Sequence, residues 1–276
     1  MKDNLLVRLA VAAIFIPIIF ILTLLGNIPF LVFVELLVVT GIFEFCKIAE
    51  VKEISLPKLP FVLIGMIFPI CSYFLRGMGF LCLIVMSFVV IALMVVLAGK
   101  VERGIGKISS FVFGTIYIPL GFSCLILIRQ LPFWYGENYK MGALWIISIL
   151  LGIWSCDTFA YFVGSAIGKH PLSPQISPKK TWEGAIAGFL GAVLTAPLCH
   201  FLFFKEAPLA YLLVISVIIG IFGQIGDLLE SLLKRDADVK DASNLIPGHG
   251  GILDRFDSLL FVSPIIYIYL SWVVYG

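Results

Sequence analysis

Residues 79–98 read GFLCLIVMSFVVIALMVVLA, a stretch without a single charge, and they decide the fold class. A run of about 20 apolar residues is long enough to cross the hydrocarbon core of a bilayer as a helix. In lipid the backbone polar groups must be satisfied internally, which leaves only helices and closed barrels. The run is continuous and lacks the period-2 alternation of a barrel strand, so it predicts a transmembrane helix.

Eight further stretches of the chain have the same apolar character. The sequence is 61% hydrophobic and only 13% charged, whereas a soluble domain carries about 25% charged residues. Lipid must therefore be the solvent for much of the chain. The fold class predicted is all-α, a polytopic integral membrane helical bundle of about nine transmembrane helices. The predicted spans are residues 7–25, 28–46, 59–76, 79–98, 108–128, 142–167, 184–204, 208–232 and 257–275.

The basic residues are distributed unevenly between the two ends of these spans. With the N-terminus inside, fifteen of the 19 Lys and Arg residues lie on the cytoplasmic side. Cytoplasmic loops of membrane proteins carry such an excess of Lys and Arg. The distribution predicts a cytoplasmic N-terminus and a C-terminus on the opposite face.

Composition also divides the chain into two regions. Residues 1–141 form an N-terminal transmembrane region of about five helices with few intramembrane charges. Residues 142–276 form a C-terminal transmembrane region of about four helices, with polar cytoplasmic loops at residues 168–183 and 233–256. The chemistry is expected in this second region, because intramembrane carboxylates are costly and usually functional. The acidic residues concerned are Asp157, Asp227, Glu230, Asp254 and Asp257.

The most informative polar stretch is residues 223–257, GQIGDLLESLLKRDADVKDASNLIPGHGGILDRFD. Asp227, Glu230 and Lys234 are spaced to form one stripe of a helix, and Ser231 lies beside it. A carboxylate at this depth either faces a wet cavity or forms a buried Asp–Lys pair that holds two helices together. Both interpretations of Asp227 remain open at this stage.

Glycines and charges follow this helical stripe. The run Pro247-Gly-His-Gly-Gly251 supplies backbone that can approach a phosphate closely, and its amides can line an anion-binding nest. Asp254, Arg255 and Asp257 then stand at the entry of the next helix. Asp257 can also simply complement the helix dipole. His249 is either a general acid or a hydrogen-bond donor to a phosphate, or it is a structural hydrogen-bonding residue.

A second polar loop, SPQISPKKTWEG, covers residues 173–184. Lys179 and Lys180 are candidates for gripping phosphates, with Ser177 and Thr181 as hydroxyl donors. The alternative for the lysines is anchoring at the membrane surface or contact with anionic lipid. The alternative for the hydroxyls is capping of the following helix. Asp157, in the upstream stretch WSCDTFAYF, is either functional or paired.

Carboxylates combined with Lys, Arg and glycine-rich backbone suit phosphoryl chemistry. Mg²⁺ binds carboxylate oxygens and keeps positions for substrate phosphates, and basic side chains neutralise the charge of a leaving group. The sequence holds no GxxxxGK[ST] loop, no HExxH and no GxSxG, which argues against a P-loop ATPase and against these hydrolase classes. The doubled motif of the CDP-alcohol phosphatidyltransferases is absent as well.

Residues 231–257 resemble the signature of the phosphatidate cytidylyltransferases, also called CDP-diacylglycerol synthases. The elements that match are Ser231, Lys234-Arg235, Lys240-Asp241, Pro247-Gly-His249-Gly250-Gly251 and Asp254-Arg255-Phe-Asp257, together with the upstream DTFAYFVG and SPKKTWEG stretches. The first 140 residues match this family only in character.

The resemblance implies transfer of CMP from CTP to phosphatidic acid, which gives CDP-diacylglycerol and pyrophosphate. It implies Mg²⁺ as the cofactor, with room for a second, monovalent cation such as K⁺, and it makes Asp227 and Asp254 the metal ligands. The implied catalytic residues are Asp227, Asp254, Lys234, Arg235, His249 and Asp157. The implied substrate-binding residues are Ser177, Lys179, Lys180, Thr181, Ser231, Lys240, Asp241, Gly250, Gly251, Arg255 and Asp257.

The resemblance also implies a homodimer in the inner membrane of a bacterium, with the active site facing the cytoplasm and no nucleic-acid partner. Two rival functions remain. A CTP-dependent polyprenol or phytol-type lipid kinase would transfer the γ-phosphoryl group and release CDP. An ion-coupled transporter would use Asp157 and Asp227, but such proteins often show inverted repeats, and none is found here.

Overall fold

The computed structural model describes residues 2–99, 102–205, 208–243, 245 and 250–276, with side chains from residue 11 onward. The helices are α1 (Lys2–Leu25), α2 (Asn27–Val51), α3 (Lys58–Leu75), α4 (Phe80–Leu97), α5 (Gly104–Thr115), α6 (Gly121–Trp134), α7 (Lys140–Ile167), α8 (Trp182–Phe203), α9 (Leu209–Ile218), α10 (Gln224–Asp236) and α11 (Leu253–Tyr269). The strands are β1 (Pro171–Ser173) and β2 (Ser177–Thr181).

Eight helices in the described part of the chain are long and apolar enough to cross a membrane. They correspond to the second to ninth predicted spans, and the prediction of an all-α, polytopic membrane bundle is confirmed. The first predicted span lies in α1, where Val11–Leu25 forms a shorter apolar helix. The count of nine spans and the side of the N-terminus stay predictions.

Three π-helical turns, Ile116–Leu120, Ile219–Gly223 and Leu270–Val274, interrupt or end the long helices. The first contains Pro119, which has no backbone N–H to donate. The second joins α9 to α10, and there the Gln224 amide donates to the Gly220 carbonyl at 2.6 Å and to the Ala185 carbonyl of α8 at 3.0 Å. The side chain thus compensates for the irregular backbone that leads into α10.

The sequence did not predict a sheet, but β1 and β2 form an antiparallel hairpin between α7 and α8. The paired residues are Pro171 with Thr181 and Ser173 with Ser177. The pairing was missed because strands this short carry no hydrophobic periodicity.

The chain packs as two compact units. The first comprises Met1–Leu127 and Asp236–Phe256, and the second comprises Ile128–Arg235 and Asp257–Gly276. The division of the chain at residue 141 was predicted from composition, and it stays a prediction. Packing instead groups residues 236–256, which hold most of the polar signature, with the N-terminal helices.

Within the second unit, α7 and α8 approach each other closely along glycines of α8. A Cβ atom on Gly188 would lie 2.9 Å from the carbonyl oxygen of Cys156 and 3.0 Å from the Cβ of Ala160. Ser155 of α7 donates to the Gly191 carbonyl of α8 at 2.9 Å. Small residues that let helix backbones approach are the usual basis of helix packing in membranes.

We predict that Gly188→Ala destabilises the protein by roughly 1–3 kcal/mol, because the added methyl group must push α7 and α8 apart. Thermal unfolding of the purified protein in detergent measures this change. Gly104→Ala is the matched control, since its Cβ would lie 3.7 Å from the nearest atom, Val95 Cγ1. The control should be unchanged or slightly more stable, because Ala is the better helix former. Equal stability of the two variants would contradict the packing argument.

Candidate functional site

Helix α10 presents the predicted polar stripe, and each of its carboxylates has a lysine partner. Asp227 forms an ion pair with Lys180 of β2, and these side chains are 33% and 28% exposed. Glu230 is 2% exposed and pairs with Lys234, four residues later in the same helix. Asp227 thus has a lysine partner, but this partner lies in the hairpin and not on a second helix, and the pair is only partly buried.

Helix α11 approaches α10 at Gly226. A Cβ atom on Gly226 would lie 2.9 Å from the Asp257 carbonyl oxygen, and the Ser258 hydroxyl donates to the Gly223 carbonyl at 3.0 Å. This close approach carries the Asp257 side chain to the polar stripe of α10. Its carboxyl also accepts the backbone N–H of Ser258 at 2.6 Å.

Asp257 interacts electrostatically with three other carboxylates, those of Asp227, Glu230 and Asp157. We call these four residues the acidic cluster. Asp157 is exposed along α7, while Asp257 and Asp227 are half-buried. The structure thus brings together three predicted site residues, Asp157, Asp227 and Asp257, and adds Glu230.

The acidic cluster fits a divalent cation by the chemistry of its side chains. It supplies carboxylate oxygens, the ligands that Mg²⁺ prefers, and two of its carboxylates, those of Asp227 and Glu230, are paired with Lys180 and Lys234. Among the described residues, no three His, Cys, Asp or Glu side chains form a ready-made metal cage. Mg²⁺ does not need one, because it is usually bound by one or two carboxylates, with waters and substrate phosphates completing the shell.

Some residues in and beside the hairpin form hydrogen bonds or ion pairs within the protein, and Lys179 is exposed to solvent. The Thr181 hydroxyl accepts the N–H of Gly184 at 3.2 Å and caps α8, as the alternative interpretation had it. Glu183 accepts the backbone N–H groups of Lys169 and His170. Lys179 is exposed, in contrast to its paired neighbour Lys180. Roles of Ser177 and Thr181 toward a phosphate stay predictions.

In the first unit, Asp254 closes the loop that joins α10 to α11. We call the described residues of this loop, 237–243, 245 and 250–252, the signature loop. One carboxyl oxygen, Asp254 Oδ2, accepts the N–H of Gly251 at 2.7 Å and the N–H of Ala242 at 3.0 Å. Gly250 adopts a φ of +85°, and a Cβ there would lie 2.8 Å from the same oxygen. Asp254 thus has a structural contact that the sequence did not predict, and the Gly251 amide is engaged by it.

Glu44 of α2 is the residue that the sequence analysis missed. It is 3% exposed and accepts the Ser243 hydroxyl at 2.6 Å, the Ile252 N–H at 3.0 Å and the Leu253 N–H at 2.9 Å. The signal was present in the sequence, since a carboxylate inside a predicted span is usually functional or paired. Its partners are backbone and hydroxyl groups of a loop some 200 residues away, which no local pattern indicates.

The remaining predicted site residues are placed as follows. Arg235, Lys240, Asp241 and Arg255 are exposed, and Ser231 is half-buried. His249 lies outside the described residues. Asp254 belongs to the first unit and Asp227 to the second, so the prediction that both bind one cation stays a prediction.

Comparison with known proteins agrees with the resemblance found in the signature. The model of the cytidylyltransferase family matches residues 6–273. The chain is 36% identical to the phosphatidate cytidylyltransferase of Bacillus subtilis over 274 residues, 98% of each chain. It is 33% identical to that of Staphylococcus aureus over 275 residues, and 32% identical to that of Staphylococcus epidermidis over 273 residues. Both of these alignments cover 98% of this chain and 99% of the relative.

The match therefore includes the apolar N-terminal helices as well as the polar signature. A shared short motif can arise in unrelated proteins, but an alignment over nearly the whole of both chains does not arise from the motif alone. The chain belongs to the cytidylyltransferase family.

Proposed function

We propose that this protein is an integral membrane phosphatidate cytidylyltransferase, which transfers CMP from CTP to phosphatidic acid. The observation that carries the proposal is the alignment over 98% of the chain with three relatives of that name. The acidic cluster and its lysines, at the ends of apolar helices, are further support. One substrate is water-soluble and the other is a lipid, and a site at the ends of membrane helices can receive both.

The reaction is an in-line displacement at phosphorus. A phosphate oxygen of phosphatidic acid forms a new bond to the α-phosphorus of CTP. The bond from that phosphorus to the oxygen bridging the β-phosphate breaks, and pyrophosphate leaves with the electron pair. Lys179, Lys180, Lys234, Arg235 and Lys240 are the proposed phosphate-binding residues, because cationic side chains neutralise charge that builds on phosphate oxygens.

Asp227 and Asp254 are the proposed ligands of Mg²⁺, with a monovalent cation such as K⁺ as a second ion. The carboxylate oxygens of the acidic cluster support a cation near Asp227, because Mg²⁺ is bound through such oxygens. When bound, the metal supplies charge neutralisation on phosphate oxygens. Lys180 holds the Asp227 carboxylate in its present position through their ion pair, so the chain itself orients this proposed ligand.

The proposed setting is the inner membrane of a bacterium. The proposed active site faces the cytoplasm, where CTP is found, and the excess of Lys and Arg on one side of the predicted spans supports this orientation. Basic residues there would also attract the anionic head group of phosphatidic acid. A homodimer is the proposed assembly, on the basis of the family resemblance alone.

Product analysis tests the proposed reaction. Purified protein given phosphatidic acid and CTP labelled at the α-phosphorus should place the label in CDP-diacylglycerol and release pyrophosphate, in a Mg²⁺-dependent manner. Parallel reactions with ATP, GTP and UTP establish the choice of base. Release of CDP with the γ-phosphoryl group on a lipid would instead identify a lipid kinase. The absence of any nucleotide-dependent product would contradict the proposal.

Asp254→Asn tests the proposed role of Asp254 as a metal ligand separately from its structural role in the loop. Asparagine keeps an oxygen that can accept the N–H groups of Gly251 and Ala242, but it removes the charge. We expect turnover to fall by about 100-fold or more, while the thermal stability in detergent stays close to that of the parent. Asp238→Asn is the control, since it makes the same charge change at an exposed residue of the same segment. Near-parental activity of Asp254→Asn would overturn the ligand assignment.

Lys179→Ala tests the proposed phosphate contact of the hairpin. We expect the KM for CTP or for phosphatidic acid to rise by roughly tenfold, the loss of about one charge-assisted hydrogen bond. Steady-state kinetics in mixed micelles, with each substrate varied in turn, measures this effect. Lys169→Ala removes the same charge from an exposed position that precedes the hairpin, and it should leave both KM values unchanged. Unchanged KM values in Lys179→Ala would refute the assignment.

A further inference from the structure

We propose that Glu44 is a positioning residue, which holds the signature loop and the first turn of α11 in the conformation that the reaction requires. This inference rests on the proposed function, because the loop carries its candidate residues. Glu44 itself lies in the apolar helix α2, outside the polar signature.

Three hydrogen bonds from the signature loop and α11 converge on the Glu44 carboxylate. One oxygen, Oε1, accepts from the Ser243 hydroxyl and from the Ile252 N–H. The other, Oε2, accepts from the Leu253 N–H. A carboxylate buried in an apolar helix is stable only when such donors replace its water. The loop therefore satisfies Glu44, and Glu44 in turn links Ser243 to Ile252 and Leu253.

Two of these donors lie at the start of α11, since Ile252 precedes the helix and Leu253 is its first residue. The first N–H groups of a helix have no partner within the helix and are normally bound by a capping side chain or by water. Here a carboxylate from α2 takes this role, and its negative charge complements the helix dipole. Glu44 thereby fixes the residue at which α11 begins, and with it the positions of Asp254 and Arg255 in the first turn.

The same carboxylate packs closely against Gly251. A Cβ atom on Gly251 would lie 2.6 Å from both Glu44 oxygens, so a larger residue requires the Glu44 side chain to shift. The N–H of Gly251 meanwhile donates to Asp254. Gly251 therefore lies between two carboxylates, one from α2 and one from α11, and a side chain here would displace the Glu44 carboxylate from its hydrogen bonds.

A second contact from the same helix end supports this role of α2. Lys52, which follows the last residue of α2, donates to the Asp236 carbonyl at 2.7 Å and lies 3.4 Å from the Asp236 carboxylate. Asp236 ends α10, and the signature loop follows it. The chain just before the signature loop is therefore bound by Lys52, at the end of α2. The end of the loop is bound by Glu44, within α2.

The main test is kinetic. We expect Glu44→Ala to lower kcat by about 100-fold, the cost of a small misplacement of reacting groups, with a smaller change in the KM for CTP. Glu44→Gln should be intermediate, about tenfold below the parent, because its amide keeps one accepting oxygen. The control is Glu50→Gln on the same helix, where a surface ion pair with Lys58 is lost and no change in kcat is expected.

Amide hydrogen exchange adds a readout that is independent of turnover. The peptide over residues 250–256 should exchange faster in Glu44→Ala than in the parent, while peptides from α7 and α8 should not change. Parental kcat with parental exchange in Glu44→Ala would overturn the proposal. A fall in kcat that only follows a general loss of thermal stability, with exchange raised everywhere, would also overturn it, because Glu44 would then be merely structural.

A double substitution tests the contact itself. Gly251→Ala should lower kcat in the parent background, because its methyl group meets the Glu44 carboxylate. In the Glu44→Ala background this clash is absent, so Gly251→Ala should cost much less. Fully additive effects of the two substitutions would contradict the contact. If the parent makes no CDP-diacylglycerol, the proposed function fails, and the exchange experiment still decides whether Glu44 holds the loop.

Discussion

The cost of placing carboxylates among apolar helices is the constraint on which the rest of this structure depends. Several of these acids are matched by a compensating group. Asp227 has Lys180, Glu230 has Lys234, and Glu44 has the N–H groups that begin α11. These matches are specific in position, because an unpaired charge in such surroundings would be strongly unfavourable. They therefore fix the hairpin, the polar stripe of α10 and the signature loop.

Close backbone approach is what allows these matches to form. Gly188 lets α8 pack against α7, and Gly226 lets α10 pack against α11, so that Asp157, Asp227 and Asp257 can share one acidic cluster. Gly251 makes the corresponding approach possible between the signature loop and Glu44. At Gly188 and Gly226 a larger residue would meet a neighbouring backbone, and at Gly251 it would meet the Glu44 carboxylate. The glycines and the acids are thus two parts of a single arrangement.

The sequence predicted the features that depend on local pattern. Apolar runs indicated the membrane helices, and the resemblance of residues 231–257 to a known signature indicated the family. Capping of α8 by Thr181 was one of two readings, and it is the contact observed. The partner of Asp227, the hairpin and the role of Glu44 were not predicted. Each depends on contacts between residues far apart in the chain, which hydrophobic periodicity and motif spacing do not encode.

Glu44 also changes how the glycine-rich run of the signature is understood. Gly250 and Gly251 were expected to offer their amides to a phosphate, as glycines in such loops often do. The Gly251 amide instead donates to Asp254, while its missing side chain leaves room for Glu44. Gly251 is therefore required by the architecture of the loop before any substrate binds. It follows that loss of activity on substituting this glycine is not by itself proof of a phosphate contact, and that the substitution must be compared in backgrounds with and without Glu44.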